Sequence, residues 1–205
     1  MVRRPGSIIL ALGALAGIFC NPVLSDSPGP SSCETTESEL ARILELPFRE
    51  FDQNPGDGWR PYYASKCYEE AAELLKGCMA RHPERAKEHH MLAFHAGQML
   101  SMFGEYDTAV ELMRQAYSTR RSALIDWNAF VDANIAFLEK DYETLLRMRE
   151  RISQQPVMTE EKGIPDWAIG KKMNLDVVDG LIACFDEPYV VAYQDECRAK
   201  GAPAE

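Results

Sequence analysis

Four histidines are the first residues with the potential for chemistry: His82, His89, His90 and His95. The last three lack the HExxH spacing of a zinc site, and the neighbours His89 and His90 would point about 100° apart on a helix. We therefore expect no metal site. His95 is the histidine that could transfer protons together with an acid, either Asp132 or another carboxylate nearby.

The carboxylates are numerous, but their spacing singles out no pair for general acid–base catalysis, which needs an enclosed carboxylate with a shifted pKa. Asp132 stands out because it lies in an apolar segment beside Trp127 and Phe130, where a buried hydrogen bond or a helix cap is the expected role. There is no phosphate-binding glycine loop, nucleophile elbow, dinucleotide-binding motif or basic stripe with aromatic residues. We predict a non-enzymatic protein without a catalytic residue, a cofactor or a nucleic-acid partner. The other carboxylates considered are Glu69–Glu70, Asp176, Asp179 and Asp186–Glu187.

The cysteines indicate disulfide bonds. Five follow the N-terminal apolar segment: Cys33, Cys67, Cys78, Cys184 and Cys197. An odd number leaves at least one unpaired within a monomer. Cys67 and Cys78 on one helix would lie about 16 Å apart, beyond the ~7 Å that a disulfide spans. A bridge from a terminal cysteine into the middle of the chain and a bridge between Cys184 and Cys197 both remain open, and the absence of CxxC disfavours a thioredoxin-type role.

Residues 1–25 have the pattern of a secretion signal. Two arginines precede an apolar run from Ile8 to Phe19, which is shorter than the ~20 residues that span a bilayer. Val23 and Ser25 suit cleavage after Ser25. Two alternatives stay open: an uncleaved membrane anchor, and a lipoprotein modified at Cys20, which Phe19 disfavours. We predict an exported protein, periplasmic or secreted, with no membrane insertion after cleavage and a flexible leader at 26–36.

The charge balance is acidic, with 32 Asp and Glu against 22 Lys and Arg and a formal net charge of −10. Cleavage would remove two arginines and no acid, so the net charge would become −12. Such a chain repels nucleic acid and anionic membranes and attracts a basic partner. The simpler interpretation is that the charge only maintains solubility.

From Glu37 onward the apolar residues follow a helical period, with no strand-like alternation. We predict an all-α fold with a single domain at 37–200. The predicted helices are Tyr68–His82, Glu88–Phe103, Asp107–Tyr117, Leu124–Leu138, Tyr142–Ile152, Trp167–Phe185 and Tyr189–Ala199.

Three segments repeat within the chain: KCYEEAAELL from Lys66, GEYDTAVELM from Gly104 and KDYETLLRMR from Lys140. Their tyrosines are 38 and 36 residues apart, near the ~34-residue period of tetratricopeptide repeats. The middle copy resembles that family in detail, with small residues at Gly97, Ala109 and Ala116 and a tyrosine at Tyr106. With the two degenerate copies, the resemblance covers roughly residues 59–156. The segments FDQ, GWR, CYEEAA, HAGQ and WNAFVDANIAFL further resemble exported bacterial proteins, which implies no function.

The tetratricopeptide resemblance implies antiparallel helix pairs stacked as a short right-handed superhelix, at about 59–83, 88–118 and 124–153, with a C-terminal cap at about 166–199. It also implies a concave binding face on the first helix of each pair. We expect a non-catalytic interaction module that binds a protein or peptide there. The alternatives are an acidic immunity-type inhibitor that masks a basic partner, and an enzyme with a His/Asp site in the groove. The expected face comprises Phe94, His95, Gln98, Met102, Trp127, Phe130 and Asn134.

Overall fold

The computed structural model describes residues 33–120, 122, 124–160 and 164–201. The predicted signal peptide at 1–25 and residues 26–32 of the predicted leader lie outside the described residues. Within the described part the chain forms eleven α-helices and two 3₁₀ turns and contains no strand, which confirms the all-α prediction. The helices are α1 (Glu37–Leu44), α2 (Phe48–Gln53), α3 (Arg60–Ala64), α4 (Tyr68–Arg81), α5 (Ala86–Phe103), α6 (Tyr106–Arg114), α7 (Trp127–Leu138), α8 (Tyr142–Ser153), α9 (Leu175–Ala183), α10 (Tyr189–Ala192) and α11 (Asp195–Gly201).

Local capping explains where several helices begin. The hydroxyl of Thr36 accepts the backbone N–H of Glu39 at the start of α1. Asp126 and Asp141 cap α7 and α8 in the same way, because each carboxylate accepts an otherwise unpaired backbone N–H of the first turn. At the other end of α5, Gly104 adopts φ +106°, a left-handed conformation that costs glycine little and ends the helix.

Helices adjacent in the chain pack against each other: α4 on α5, α5 on α6, and α7 on α8. α5 and α6 approach each other closely at Gly97 of α5. A Cβ atom there would lie 2.7 Å from Cγ of Met113 and 2.9 Å from the carbonyl oxygen of Ala109, both on α6. Only a residue without a side chain allows α5 and α6 to come this close.

The C-terminal part differs from the two long helices predicted for it. The segment predicted as Trp167–Phe185 forms a 3₁₀ turn at Asp166–Ala168 and then α9. Gly170 and Asn174 between them adopt φ +80° and +65°, which no α-helix accommodates. The predicted helix Tyr189–Ala199 is divided into α10 and α11. α9 packs on α11 and also contacts α7 and α8, while α10 lies on α5.

Two disulfides connect the ends of the described chain to its interior. Cys33 is bonded to Cys67 and Cys184 to Cys197, while Cys78 is a free, buried thiol. The disulfide prediction is thereby confirmed, and the pairing selects one bridge of each kind that the sequence left open. Two disulfides indicate an oxidising compartment. None of the described helices is both long and apolar enough to cross a membrane.

Candidate functional site

The residues predicted to form a concave face lie mostly in the interior. Five of the seven side chains are buried: Phe94, Gln98, Met102, Phe130 and Asn134. Trp127 is half-buried and His95 is 15% exposed. α5 and α7 thus bring these side chains together, but they contact one another and α10.

Two tyrosines cover this α5–α7 face: Tyr189, the first residue of α10, and Tyr193, which directly follows α10. The buried hydroxyl of Tyr189 donates to Oδ1 of Asn134 at 2.6 Å, and the Gln98 amide donates to the Tyr193 hydroxyl at 2.8 Å. The backbone N–H of Tyr189 also donates to the hydroxyl of Tyr106 at 3.1 Å. Full burial raises the pKa of Tyr189 well above its usual value, so its phenol stays neutral. Gln98 and Asn134, two polar side chains expected to meet a ligand, therefore bind the C-terminal segment of the same chain.

The aromatic members of the set form a packed cluster. The ring centroids of Phe94 and Trp127 are 5.0 Å apart and those of Phe94 and Phe130 are 5.2 Å apart. The indole N–H of Trp127 donates to the carbonyl of Ala116 at 2.7 Å, across from α7 to the end of α6. These contacts are those of a core that joins two helix pairs.

His95 pairs with a carboxylate that the sequence did not single out. Its Nδ1 lies 2.8 Å from Oδ1 of Asp52, whose side chain has no exposed surface. The indole N–H of Trp59 donates to the same oxygen at 3.1 Å, and the Gln53 amide donates to Oδ2. Asp52 comes from α2 and His95 from α5, and the Trp59 ring lies 5.1 Å from the imidazole.

The surroundings of Asp52 favour its ionised form. Burial by itself raises the pKa of this carboxyl, but the hydrogen bond and charge of His95, followed by the hydrogen bonds from Trp59 and Gln53, lower it overall. Among the described residues, Nε2 of His95 has no hydrogen-bonding partner. Asp52 is therefore an ionised carboxylate with its hydrogen bonds satisfied, while one imidazole nitrogen of His95 is left unpaired among the described residues.

The acid that the sequence did single out has another partner. The Tyr117 hydroxyl donates to Oδ1 of Asp132 at 2.5 Å, and burial together with this bond raises the pKa of Tyr117 to about 12. Asp179 forms an ion pair with Arg149 at 2.7 Å. The hydrogen bond of Asp132 is exposed, which differs from the buried bond or helix cap expected for it, and His95 pairs with Asp52 instead.

A groove with a volume of about 540 Å³ lies between α1 and α4. Its apolar surface comes from Leu40 and Leu44 of α1 and from Leu74 and Gly77 of α4. Leu40 is 39% exposed although it is a large apolar residue on a helix. We call this feature the α1–α4 groove.

Acidic residues surround the α1–α4 groove. Among the described residues that line it there are four glutamates and no lysine or arginine: Glu34, Glu69, Glu70 and Glu73. Lys76 is paired with Glu73 at the edge. Cys33 and Thr35 form the end wall, held by the disulfide to Cys67 and by a 2.7 Å hydrogen bond from Thr35 to the Tyr62 hydroxyl. The two sulfurs lie near Glu70 in the arrangement of a metal site, but a disulfide has no thiolate to offer a metal.

A larger cavity of about 700 Å³ lies between residues 118–128 and the end of α8. Two of the three charged residues that line it are paired with each other, since Arg151 donates to Asp126 at 2.7 Å, and the Asp126 backbone N–H donates to Gln155. Neither His95 nor Asp52 lines this cavity or the α1–α4 groove. The α1–α4 groove combines exposed apolar surface with glutamates that no lysine or arginine of its described lining neutralises.

No family model, curated protein or solved structure matches this chain.

Proposed function

We propose that this protein is an exported, non-catalytic interaction module that binds a protein or peptide partner in the α1–α4 groove. The observation that carries the proposal is the exposed Leu40 beside Leu44, in a concave site rimmed by glutamates. Apolar concave surface with a few polar groups at its edge is the usual form of a recognition site. The two disulfides support export, because such bonds persist in oxidising compartments.

The architecture that presents the groove is, in our proposal, a short tetratricopeptide-like array. Support comes from the middle copy of the repeat, where Gly97 of α5 contacts the backbone at Ala109 of α6, as the spacing requires. Tyr106 at the turn is half-buried and packs against the core, and Ala116 at the end of the pair is buried. The α5–α7 face is not the binding surface in this proposal, because α10 occupies it.

Photo-crosslinking at Leu40 tests the proposal. A photoreactive residue at Leu40 should capture a defined partner, and the purified partner should then bind the wild-type protein and lose binding to Leu40→Asp. Leu146 of α8 is the matched control, because its 37% exposure nearly equals the 39% of Leu40 while it lies outside the groove. Equal capture at both positions, or none at Leu40, would refute a binding role for the groove.

A related candidate function is masking of a basic partner by an acidic inhibitor of the immunity type. The net charge and the glutamate rim favour it. Masking predicts that the partner loses its activity in the complex and that association weakens as salt rises. Binding that leaves the partner active would make the protein an adaptor instead.

The His95–Asp52 dyad supports a second class of function, catalysis by a histidine oriented through its Nδ1. An oriented imidazole with a free Nε2 has the geometry of a general base. We give it second place, because His95 lines neither the cavity at residues 118–128 nor the α1–α4 groove. An assay of the protein in solution with small hydrolysable esters would test it. Ester hydrolysis that His95→Gln abolishes, with an unchanged melting temperature, would favour the enzyme.

A further inference from the structure

A glycine in the α1–α4 groove has no explanation in the packing of the chain itself. Gly77 lies inside the 14-residue helix α4, where glycine lowers helix stability relative to alanine. A Cβ atom at Gly77 would meet only the side chain of Leu44, at 3.4 and 3.7 Å, which is ordinary contact. Internal packing therefore leaves room for a side chain at this position.

The glycines at two other helix positions are different. A Cβ atom at Gly97 would collide with α6, and one at Gly180 would lie 3.0 Å from the backbone nitrogen and Cγ of Arg198. Both are required by close approach within the molecule. Gly77 faces the open groove instead, so the absent side chain exposes the α4 backbone and deepens the floor between Leu44 and Leu74.

We infer that Gly77 is a specificity-determining residue of the groove, and that the occupant is a basic segment of a partner protein that inserts one long apolar side chain over it. This inference rests on the function proposed above. The apolar floor provides for the inserted side chain, and the four glutamates at the rim provide for lysine or arginine residues on either side of it.

Charge complementarity argues against two other occupants. In the protein that begins at Asp26, the segment that precedes Cys33 reads DSPGPSS and contains neither a basic residue nor a long apolar side chain. A second copy of the chain carries the same acidic excess and would bring glutamates to glutamates. A basic partner is the occupant that lowers the electrostatic energy of the rim.

The Cys33–Cys67 disulfide contributes to the same site. It holds Cys33, Glu34 and Thr35 against the start of α4, where they close one end of the groove. Breaking the bond would release that wall and one of the four glutamates with it. We expect binding of the basic segment to be weaker in the reduced protein.

The test uses a fluorescein-labelled peptide with one central leucine flanked by lysines, titrated with the protein by fluorescence anisotropy. Gly77→Leu should weaken binding about tenfold or more by filling the floor, whereas Gly77→Ala should weaken it less. Ala80→Leu is the matched control, because Ala80 is exposed on α4 outside the groove. A Gly77→Leu variant that binds like wild type overturns the inference.

The charge requirement has its own control. Replacing Glu69, Glu70 and Glu73 with glutamine should reduce the affinity for the lysine peptide and flatten its salt dependence. A second triple variant with the same net charge, at the exposed Glu105, Glu111 and Glu143, should bind like wild type. Equal losses in both variants would mean that only overall charge matters, which overturns the assignment to the groove.

The outcomes separate the inference from the proposed function. If the crosslinker at Leu40 captures a partner, but the lysine peptide does not bind and Gly77→Leu does not change partner binding, the groove binds something other than a basic segment. If neither Leu40 nor the peptide gives binding, both fail. Self-association in analytical ultracentrifugation that Gly77→Leu abolishes would identify a second copy as the occupant and refute the basic partner.

Discussion

Nδ1 of His95 lies 2.8 Å from Oδ1 of Asp52, and 43 residues of chain separate the two. The contact joins the short helix α2 to the middle of α5 through a carboxylate that water does not reach. Trp59 and Gln53 complete its hydrogen bonds. Asp52 is thus a buried acceptor for three side-chain donors, and its removal should be felt by the N-terminal third of the fold.

Replacement of Asp52 with alanine should lower the free energy of unfolding by about 3 kcal/mol, since it leaves buried donors without an acceptor. Urea denaturation followed by circular dichroism measures the loss. Asp186→Ala is the control, because Asp186 is exposed in the loop before α10 and should change stability by less than about 0.5 kcal/mol. A similar small change for Asp52→Ala would contradict the structural role assigned to the dyad.

The same carboxylate should make stability depend on pH in the acid range. Because its pKa in the folded protein lies below the ordinary 3.8, the ionised form favours folding. Its contribution is complete above the unfolded pKa and disappears as the pH falls through the lower folded pKa. The stability difference between wild type and Asp52→Asn should therefore be constant above about pH 5 and shrink below about pH 4. A difference that stays constant down to about pH 2 would show that the pKa is not lowered.

Two glycine-to-alanine substitutions should change the stability of the protein in opposite directions. Gly97→Ala forces a methyl group into Met113 and the carbonyl of Ala109, and should destabilise the protein by about 1–3 kcal/mol. Gly77→Ala meets only ordinary contact with Leu44 and should stabilise it by about 0.5–1 kcal/mol. Thermal melts of the two variants side by side decide the matter. If Gly97→Ala melts above wild type, the close crossing of α5 and α6 is wrong.

The Tyr189 hydroxyl should contribute more to the free energy of unfolding than the hydroxyl of an exposed tyrosine. In Tyr189→Phe the buried Asn134 loses its 2.6 Å donor, and we expect a loss of about 1–3 kcal/mol. Tyr142→Phe is the matched control, because Tyr142 is 40% exposed. Chemical denaturation of both variants gives the comparison. Equal effects would mean that α10 does not depend on this contact to cover the α5–α7 face.

Cys78 should be chemically silent in the native protein. Burial raises the pKa of its thiol to about 11, so the reactive thiolate is scarce at neutral pH. For a protein that begins at Asp26, a thiol reagent should titrate no thiol in the native state and one after unfolding without a reductant. Rapid native labelling would place Cys78 at the surface, and additional thiols after unfolding would contradict the two disulfides.

Local signals were sufficient for much of the helical framework. The predicted helices at Tyr68–His82, Glu88–Phe103 and Tyr142–Ile152 agree with α4, α5 and α8 to within two residues at each end. Turn residues such as Gly104, and caps such as Asp141, mark helix ends within a few residues of sequence. The contact between Gly97 and Ala109 also follows from a local pattern, because α5 and α6 are joined by a short turn.

The candidate site was beyond the same reasoning. Nothing near Asp52 in the sequence indicates that His95 will meet it, and nothing near Gly77 indicates that Leu40 and Leu44 will lie across a groove. The breaks at Gly170 and Asn174, where the backbone turns left-handed, likewise redirected the C-terminal helices from their predicted course.

The sequence by itself determined the all-α class, most helix positions, the acidic charge and the odd free cysteine, because each depends on composition or on neighbours within a turn or two of helix. Only the tertiary structure decided which helix faces are covered and which are left open to solvent. α10 and the adjoining Tyr193 cover Gln98 and Asn134, while α1 leaves part of α4 uncovered. Which faces are covered depends on contacts between residues tens of positions apart. The free energy of these contacts is summed over the packed molecule and cannot be inferred from any one segment.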